Sequence, residues 1–598
     1  MNQQIKYRNR YNSPKGITIV ALVVTIVIML ILVGVTVTIA INGGLIGTAK
    51  DSKEETRYTQ VLAEKEMWEQ EERPTERFGI KSETLEDFIT RLENEKLLTK
   101  KEAEEVRKDG MTTIAKKWLV FGARKNVADA SLWKYNLDEK TNLVTITKYL
   151  GTTDNLTELT IPNFLLIDGK EYRVTKIGVD GNGGENNPIA NFDGNVIISK
   201  GITEIGWCSF IGANKITSVE IPNSVTLISD KAFQHCTSLT SIKIPGSVKK
   251  IGNYWNNVNG QVFNGCSNLK EVIFEEGIEE ISGRAFDSCS KVEEWNLPKS
   301  LKRIGQWAFS SIGVEEFNIP ENVENIADGF IGSSKLIKIN VDPNNKYFTS
   351  IDGVLFDKAV TKLLKFPNVK QEENYTVPGT VKTINSYAFQ SCNKIVKLII
   401  GNSVENINSN ALSECTIDTV EIGSNVSNIS NNTFTYATLT AIDVKSENQN
   451  YESQDGILFN KGKTMLIKYP LAKKDTEYTI PDTVETILQN SFYGNNYLKN
   501  ISIPSSVKKI ENYAFGRCEN IEKITIPEGV ETIGDRILYC NSKIKQVTIP
   551  STVTKLGAEA FRMMGGLTKI TINKPEGSLS GKPWNASASV IIEWTGEQ

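Results

Sequence analysis

Ile480 to Asn573 reads as one sentence written four times: IPDTVETILQNSFYGNNYLKNIS, IPSSVKKIENYAFGRCENIEKIT, IPEGVETIGDRILYCNSKIKQVT and IPSTVTKLGAEAFRMMGGLTKIT, each copy 23 residues long. A fixed period of this size is the mark of a solenoid. With Ile503 as position zero, apolar residues fall at Val507, Ile510, Ala514, Phe515, Cys518, Ile521 and Ile524, and Ile526 opens the next copy. The end of the copy alternates apolar with polar, which suits a short half-buried strand. Pro504 has no N–H to donate and ends that strand. Ala514 and Phe515 are predicted to sit on a short helical or 3-10 turn. The apolar burial available to one copy falls short of the entropy lost in ordering it, so the copies must stack.

The chain has 598 residues, a net charge of −3 and a pI near 5.8. It is too long for a single compact core and suits an elongated array with an added module. The charge offers nothing to nucleic acid. A single histidine, His235, leaves little for histidine-based catalysis or metal chemistry. No cofactor and no metal are expected, and the cysteine spacing lacks the CxxC form of a metal site.

Residues 1–16 carry Lys6, Arg8, Arg10 and Lys15 and no acid, and residues 17–41 carry no charge at all. That apolar run is long enough to span a bilayer. The basic leader is expected to stay cytoplasmic, with everything after residue 41 outside. A cleaved secretory signal is the alternative, although its apolar core is ordinarily shorter. The run Lys15-Gly16-Ile17-Thr18-Ile19-Val20-Ala21-Leu22 resembles the processing site of type IV prepilins. The resemblance implies cleavage between Gly16 and Ile17. Ile17 stands where that family usually has Phe, and Ala21 where it usually has the Glu that serves filament assembly.

Residues 42–118 form a separate charged stretch, read as a helical stalk with a small helical module, or as a solvated helical linker. Leu85, Phe88, Ile89, Leu92, Leu97 and Leu98 fall near helical spacing, and Thr99 with Glu102 is a candidate capping box. Lys117–Arg124 reads as a strand.

The array is assigned to residues 119–573, with opening strands near Asn142 and a hairpin turn at Asp168-Gly169. Zero positions at Ile198, Ile221, Ile244, Phe274, Leu297 and Ile319 follow at intervals of 23, 23, 30, 23 and 22; the long interval holds an insertion within NYWNNVNG. Two longer units, 341–378 and 444–481, share Asp-Gly-apolar-Leu-Phe and apolar-Lys-aromatic-Pro. Each is read as a unit interrupted by a β-hairpin, pairing Leu355 and Phe356 with Leu363–Phe366, and Leu458 and Phe459 with Met465–Tyr469. Ordinary units resume at Ile400 and Ile422. The segments IPNSVTLISDKAFQHC (221–236) and VPGTVKTINSYAFQSC (377–392) resemble the BspA-type leucine-rich repeat of bacterial surface proteins. The resemblance implies a horseshoe-like or superhelical solenoid at the cell surface that binds proteins or surfaces and is not an enzyme. The tail 574–598 is not a repeat and is expected to cap the open end.

Six cysteines, 236, 266, 289, 392, 415 and 518, share one place in the repeat; Cys540 is one short, and Cys208 sits near the Ala position. They read as small buried hydrophobes, with disulfides such as Cys266–Cys289 or Cys392–Cys415 as the alternative. His235 reads as a surface turn residue. The polar loop Asp180–Asn187 reads as a surface excursion, or a calcium loop without familiar spacing. Tyr347, Phe356, Tyr451 and Phe459 in the two hairpin units are candidate partner contacts, or else they pack the hairpin onto the solenoid. Thr240, Ser241, Lys243, Gln546 and Thr548 would face outward from the strands. The expected function is that of a membrane-anchored cell-surface protein mediating adhesion to protein or cell-surface ligands. A pilin-like filament or secretion subunit is the alternative, and a hydrolase within 71–150 is disfavoured because that segment has neither His nor Cys.

Overall fold

In a computed structural model of the protein, which describes residues 85–95, 97–109, 126–153, 156–178, 192–254 and 259–596, the apolar places of each copy turn inward and the copies stack. The chain divides into two compact units, Met1–Arg124 and Lys125–Gln598. The leader, the apolar run 17–41 with Gly16 and Ile17, most of 42–118, the Lys117–Arg124 segment and the Asp180–Asn187 loop lie outside the described residues. Among the described residues no helix is long and apolar enough to cross a membrane.

In the first unit, α1 (Leu85–Asn94) and α2 (Lys100–Asp109) bury Ile89, Leu92, Leu98, Ala103 and Val106. The capping box forms: Thr99 N donates to Glu102 Oε2 at 2.8 Å, and Glu102 N donates to Thr99 Oγ1 at 3.3 Å. This reciprocal pair satisfies two backbone donors at the start of α2.

The second unit opens earlier than Asn142. Trp133–Asp138 pairs antiparallel with Leu143–Tyr149, which runs parallel to Lys170–Ile177, and the Asp168-Gly169 turn joins Phe164–Ile167 to Lys170–Ile177. From there each ordinary rung contributes to three backbone ladders. A wide strand of three to six residues, such as Ser241–Ile244, runs parallel to its successor, Glu271–Phe274. A two-residue strand makes a narrow ladder in strict phase: Ile228 on Ile251, Ile251 on Ile281, Ile281 on Ile304, Ile304 on Ile326. The sequence gives no separate sign of this second ladder, because two residues carry no alternation.

The third ladder replaces the expected helical turn. Phe233 N donates to Val262 O at 2.8 Å, Phe263 N to Ala285 O at 2.7 Å and Phe515 N to Ile537 O at 3.0 Å. These donors point along the stack and not back along their own chain. The reason is local: residues on either side of the Ala-Phe pair take the left-handed conformation, such as Tyr513 (φ 55°) and Arg517 (φ 51°), or Tyr387 (61°) and Ser391 (58°). A left-handed residue every fourth place breaks an α- or 3-10 helix. Among the described residues the one 3-10 turn is Ala130–Leu132, ahead of the repeats.

Inside, the phenylalanines form a stack: Phe210, Phe233, Phe263 and Phe286 lie 4.9, 5.0 and 5.2 Å apart, with ring planes within 7° of parallel. That spacing is the rise of a β-ladder. The wide ladder is not continuous. It lapses at residues 292–297, where Trp295 fills the core place of a smaller aliphatic and packs on Phe274, Phe286 and Phe309. At the end of the chain Ile591–Trp594 adds a strand to Lys569–Ile572, and the fully buried Trp584 closes the turn ladder, its backbone oxygen accepting from Phe561 N.

Candidate binding surfaces

The two long units are built alike. In the first, Phe348–Ile351, Val354–Asp357 and Lys362–Lys365 form an antiparallel meander, with Leu355 opposite Lys365 and Phe356 opposite Leu363; in the second, Leu458 lies opposite Lys468 and Phe459 opposite Leu466. The pairing of the last two strands follows the sequence expectation, and the first strand is an addition. The third strand of each meander then joins the narrow ladder through Leu363–Ile384 and Leu466–Ile487. Each meander folds back over the preceding wide strand: Ile339 N donates to Gly353 O, and Ile442 N to Gly456 O, both at 2.9 Å. Glycine is required there. Gly456 has φ 74°, and a Cβ on it would stand 2.7 Å from Ala441 Cβ.

Each meander is anchored by a buried asparagine. Asn345 Nδ2 donates to Pro320 O and Val323 O, while its Oδ1 accepts from Tyr347 N and Phe348 N. Asn448 does the same with Gly423 O, Val426 O, Asn450 N and Tyr451 N. Each asparagine lies three residues before an aromatic that opens the meander, Phe348 or Tyr451, and its role is to knit the cassette to the rung before it.

The candidate partner contacts separate. Phe356 and Phe459 are fully buried, so neither offers a surface to a partner; the middle strand of each cassette is covered on both faces, with Val354 and Leu355, or Ile457 and Leu458, buried beside them. Tyr451 is half-buried, and its hydroxyl accepts from Ile429 N at 3.0 Å. Tyr347 is 49% exposed, with Ile351 exposed beside it on the same cassette.

Along the wide strands, Lys243, Thr240, Gln546 and Thr548 are exposed and Ser241 is half-buried. Charges on this face are paired between rungs: Lys243 meets Glu275 at 2.7 Å, and Glu421 takes both Lys397 at 2.8 Å and Lys445 at 2.7 Å. The hydrogen bonds from Lys397 and Lys445 hold the Glu421 carboxyl below its ordinary pKa. Where the ladder lapses, a cleft of about 390 Å³ opens between Glu271–Phe274 and the Glu293–Asn296 segment, with Ile273 exposed in it.

All eight cysteines are free thiols and seven are buried. Four of them donate to the carbonyl of the ring residue one rung back: Cys236 to Phe210 O, Cys266 to Phe233 O, Cys289 to Phe263 O and Cys518 to Phe492 O, at 3.1 to 3.2 Å. Asn541, at the same place, donates to Phe515 O at 2.9 Å. The shared position thus asks for a small donor, and burial pushes the Cys392 and Cys518 thiols up to about 12, away from thiolate chemistry. His235 is exposed at a left-handed turn position, φ 59°.

The sequence analysis did not single out two lysines. Lys365 and Lys468, in LLKFP and LIKYP, are buried; Lys365 Nζ donates to Tyr387 O and Gln390 O at 3.3 Å, and Lys468 Nζ donates to Asn490 O at 3.1 Å. Each caps carbonyls of the rung that follows its cassette. The repeated apolar-Lys-aromatic-Pro motif is the available signal.

Among solved structures, the chain is similar to a leucine-rich repeat protein from Eubacterium ventriosum (20% identity, TM-score 0.44, covering 71% of this chain and 96% of that one). It is also similar to a leucine rich cell surface protein from Faecalibacterium prausnitzii (20% identity, TM-score 0.35, 77% and 96% covered) and to the pneumococcal vaccine antigen PcpA (19% identity, TM-score 0.38, 79% and 98% covered). No curated protein sequence matches the chain. The signature described as BspA type Leucine rich repeat region (6 copies) matches residues 194–257, 254–359, 365–461 and 472–585. These stretches make up more than half of the chain, and the protein belongs to the BspA type leucine-rich repeat family.

Proposed function

We propose that this is a membrane-anchored bacterial cell-surface protein that binds a protein or cell-surface partner along its wide-strand face. In this reading residues 17–41 anchor it, 42–118 form the stalk, 119–573 the solenoid and 574–598 the cap. The observation that carries the reading is the wide face itself. Exposed polar side chains such as Lys243, Gln546 and Thr548 stand on strands fixed by backbone hydrogen bonds to the rung that follows. Such residues vary without touching the core, and rigid spacing lowers the cost of ordering a contact surface. Tyr347 and Ile351 extend that surface onto the first cassette.

The test is a binding screen of the repeat unit 125–598 against bacterial and host surface proteins, with Lys243→Glu, Thr548→Glu and Tyr347→Ala alongside. Specific capture that drops at least tenfold in one of these variants is expected. Folded protein that captures nothing rejects the reading. A second reading, a pilin-like filament subunit, draws on the Lys15-Gly16-Ile17 run. A mature chain beginning at Ile17 and recovered in sheared filaments favours it; recovery in the membrane fraction favours the anchor.

A further inference from the structure

The aromatic residues of the turn ladder gather where the first cassette interrupts it. Ordinary rungs place left-handed turns there, whereas residues 361–376 contain no left-handed residue, and the cassette's rung runs flat from Leu363 to Pro367 above the buried Lys365. Tyr387, after the cassette, therefore reaches back to Trp307, before it, with ring centroids 5.6 Å apart and planes at 75°. Gly329 lies between them with φ 66°; a Cβ on it would stand 2.6 Å from Trp307 Nε1 and 3.2 Å from Tyr387 Cδ2. The result is a notch of about 380 Å³, within the size range of small-molecule sites, open to the outside beside the exposed Tyr436.

Two polar groups in the notch lack the partners that buried groups normally have. Ser413 is only 4% exposed, yet its hydroxyl makes no hydrogen bond. The Arg284 guanidinium lies 4.4 Å over the Trp307 ring; its Nε makes no hydrogen bond, and Asp287 Oδ2 stands 4.0 Å away. The neighbouring amides are loosely held: Gln390 Nε2 is 3.5 Å from Glu414 Oε2, and Asn410 Nδ2 is 3.4 Å from the Tyr387 hydroxyl. Such long contacts exchange readily for a ligand.

The lining selects the ligand's chemistry. One cation against two carboxylates, Asp287 and Glu414, does not favour an anion. Ile331 is the sole aliphatic side chain, too little for a lipid tail. Three backbone amides of the walls are already taken, Arg284 N by Gln306 O, Ser391 N by Ser413 O and Glu414 N by Thr435 O, so an extended peptide finds no continuous edge to join. Aromatic rings, hydroxyls and planar amides remain, and these suit a ring with an apolar face and a rim of hydroxyls.

We propose that this notch is a saccharide-binding subsite, taking a neutral or N-acetylated sugar with Tyr436 against its ring and Ser413, Gln390 and Asn410 on its hydroxyls. It lies on the turn ladder and is independent of the wide-strand reading. The test uses the full chain in detergent on an array of neutral, N-acetylated and acidic oligosaccharides, followed by calorimetric titration of the best binder. Neutral or N-acetylated sugars are expected to bind. Ser413→Ala should weaken binding about fivefold or more while leaving the melting temperature unchanged, since that hydroxyl bonds to nothing in the free protein. Tyr436→Ala, at an exposed position, should weaken it further. The proposal is overturned if no saccharide binds at millimolar concentration, if only acidic sugars bind, or if both variants bind as the parent does. A protein partner that still binds the wide face in such a case leaves the proposed function standing.

Discussion

Lys468 is the residue whose chemistry the fold alters most plainly. Burial pushes its pKa from 10.5 down to about 8, so the unfolded chain holds this proton through a range in which the folded chain has released it. Stability therefore rises with pH between about 8 and 10.5 on this account, and the gain is lost as pH falls through 8. Lys468→Met removes the term: urea midpoints of parent and variant should run parallel below pH 7 and diverge in favour of the parent between pH 8 and 10.5. Parallel curves throughout would mean that the ammonium is not sealed in. Sequence alone hides this residue because a lysine flanked by Ile467 and Tyr469 reads as the outward member of an alternating strand. Phe356 and Phe459 stayed open between partner contact and core, because the sequence does not show that the middle strand of each cassette is covered on both faces. The left-handed residues were equally hidden: Tyr513 and Arg517 are ordinary residues, while the Ala-Phe-x-x-Cys spacing between them imitates a helix.

At the scale of the element, the cassettes were legible as hairpins because each long unit holds two short apolar runs close together, and the pairing read from Leu355 and Leu458 holds; the turns at Asp352-Gly353 and Asp455-Gly456 add a first strand that was not read. What spacing could not show is how a cassette attaches. One side chain does much of this, since Asn448 meets two carbonyls of the rung before and two amides of its own turn. Asn448→Ala leaves these groups inside without partners and should destabilise the fold by about 2–4 kcal/mol; Asn448→Asp should not rescue it, because a carboxylate cannot donate to Gly423 O and Val426 O. Chemical denaturation of both variants measures this. An alanine variant as stable as the parent would show that water replaces the amide at no cost.

For the molecule as a whole, the meanders divide the interior. Among the described residues of the second unit the buried side chains form three groups, from Trp133 to Leu355, from Val354 to Leu458 and from Ile457 to Trp584, and the seams fall at the two cassettes. Phe263→Ala, in the first group, should cost about 3–5 kcal/mol. Hydrogen exchange should show the loss of protection confined to residues before 355, with 457–584 unchanged. Loss along the entire array would show one cooperative block. The narrow ladder carries a different consequence. Ile228, Ile251, Ile281 and Ile304 each meet the same side chain above and below, so a rung does not distinguish one ordinary neighbour from another. An in-frame duplication or deletion of a single period therefore inserts or removes a storey without disturbing the rest. The gene can lengthen or shorten its product in whole periods by unequal recombination between its own near-copies.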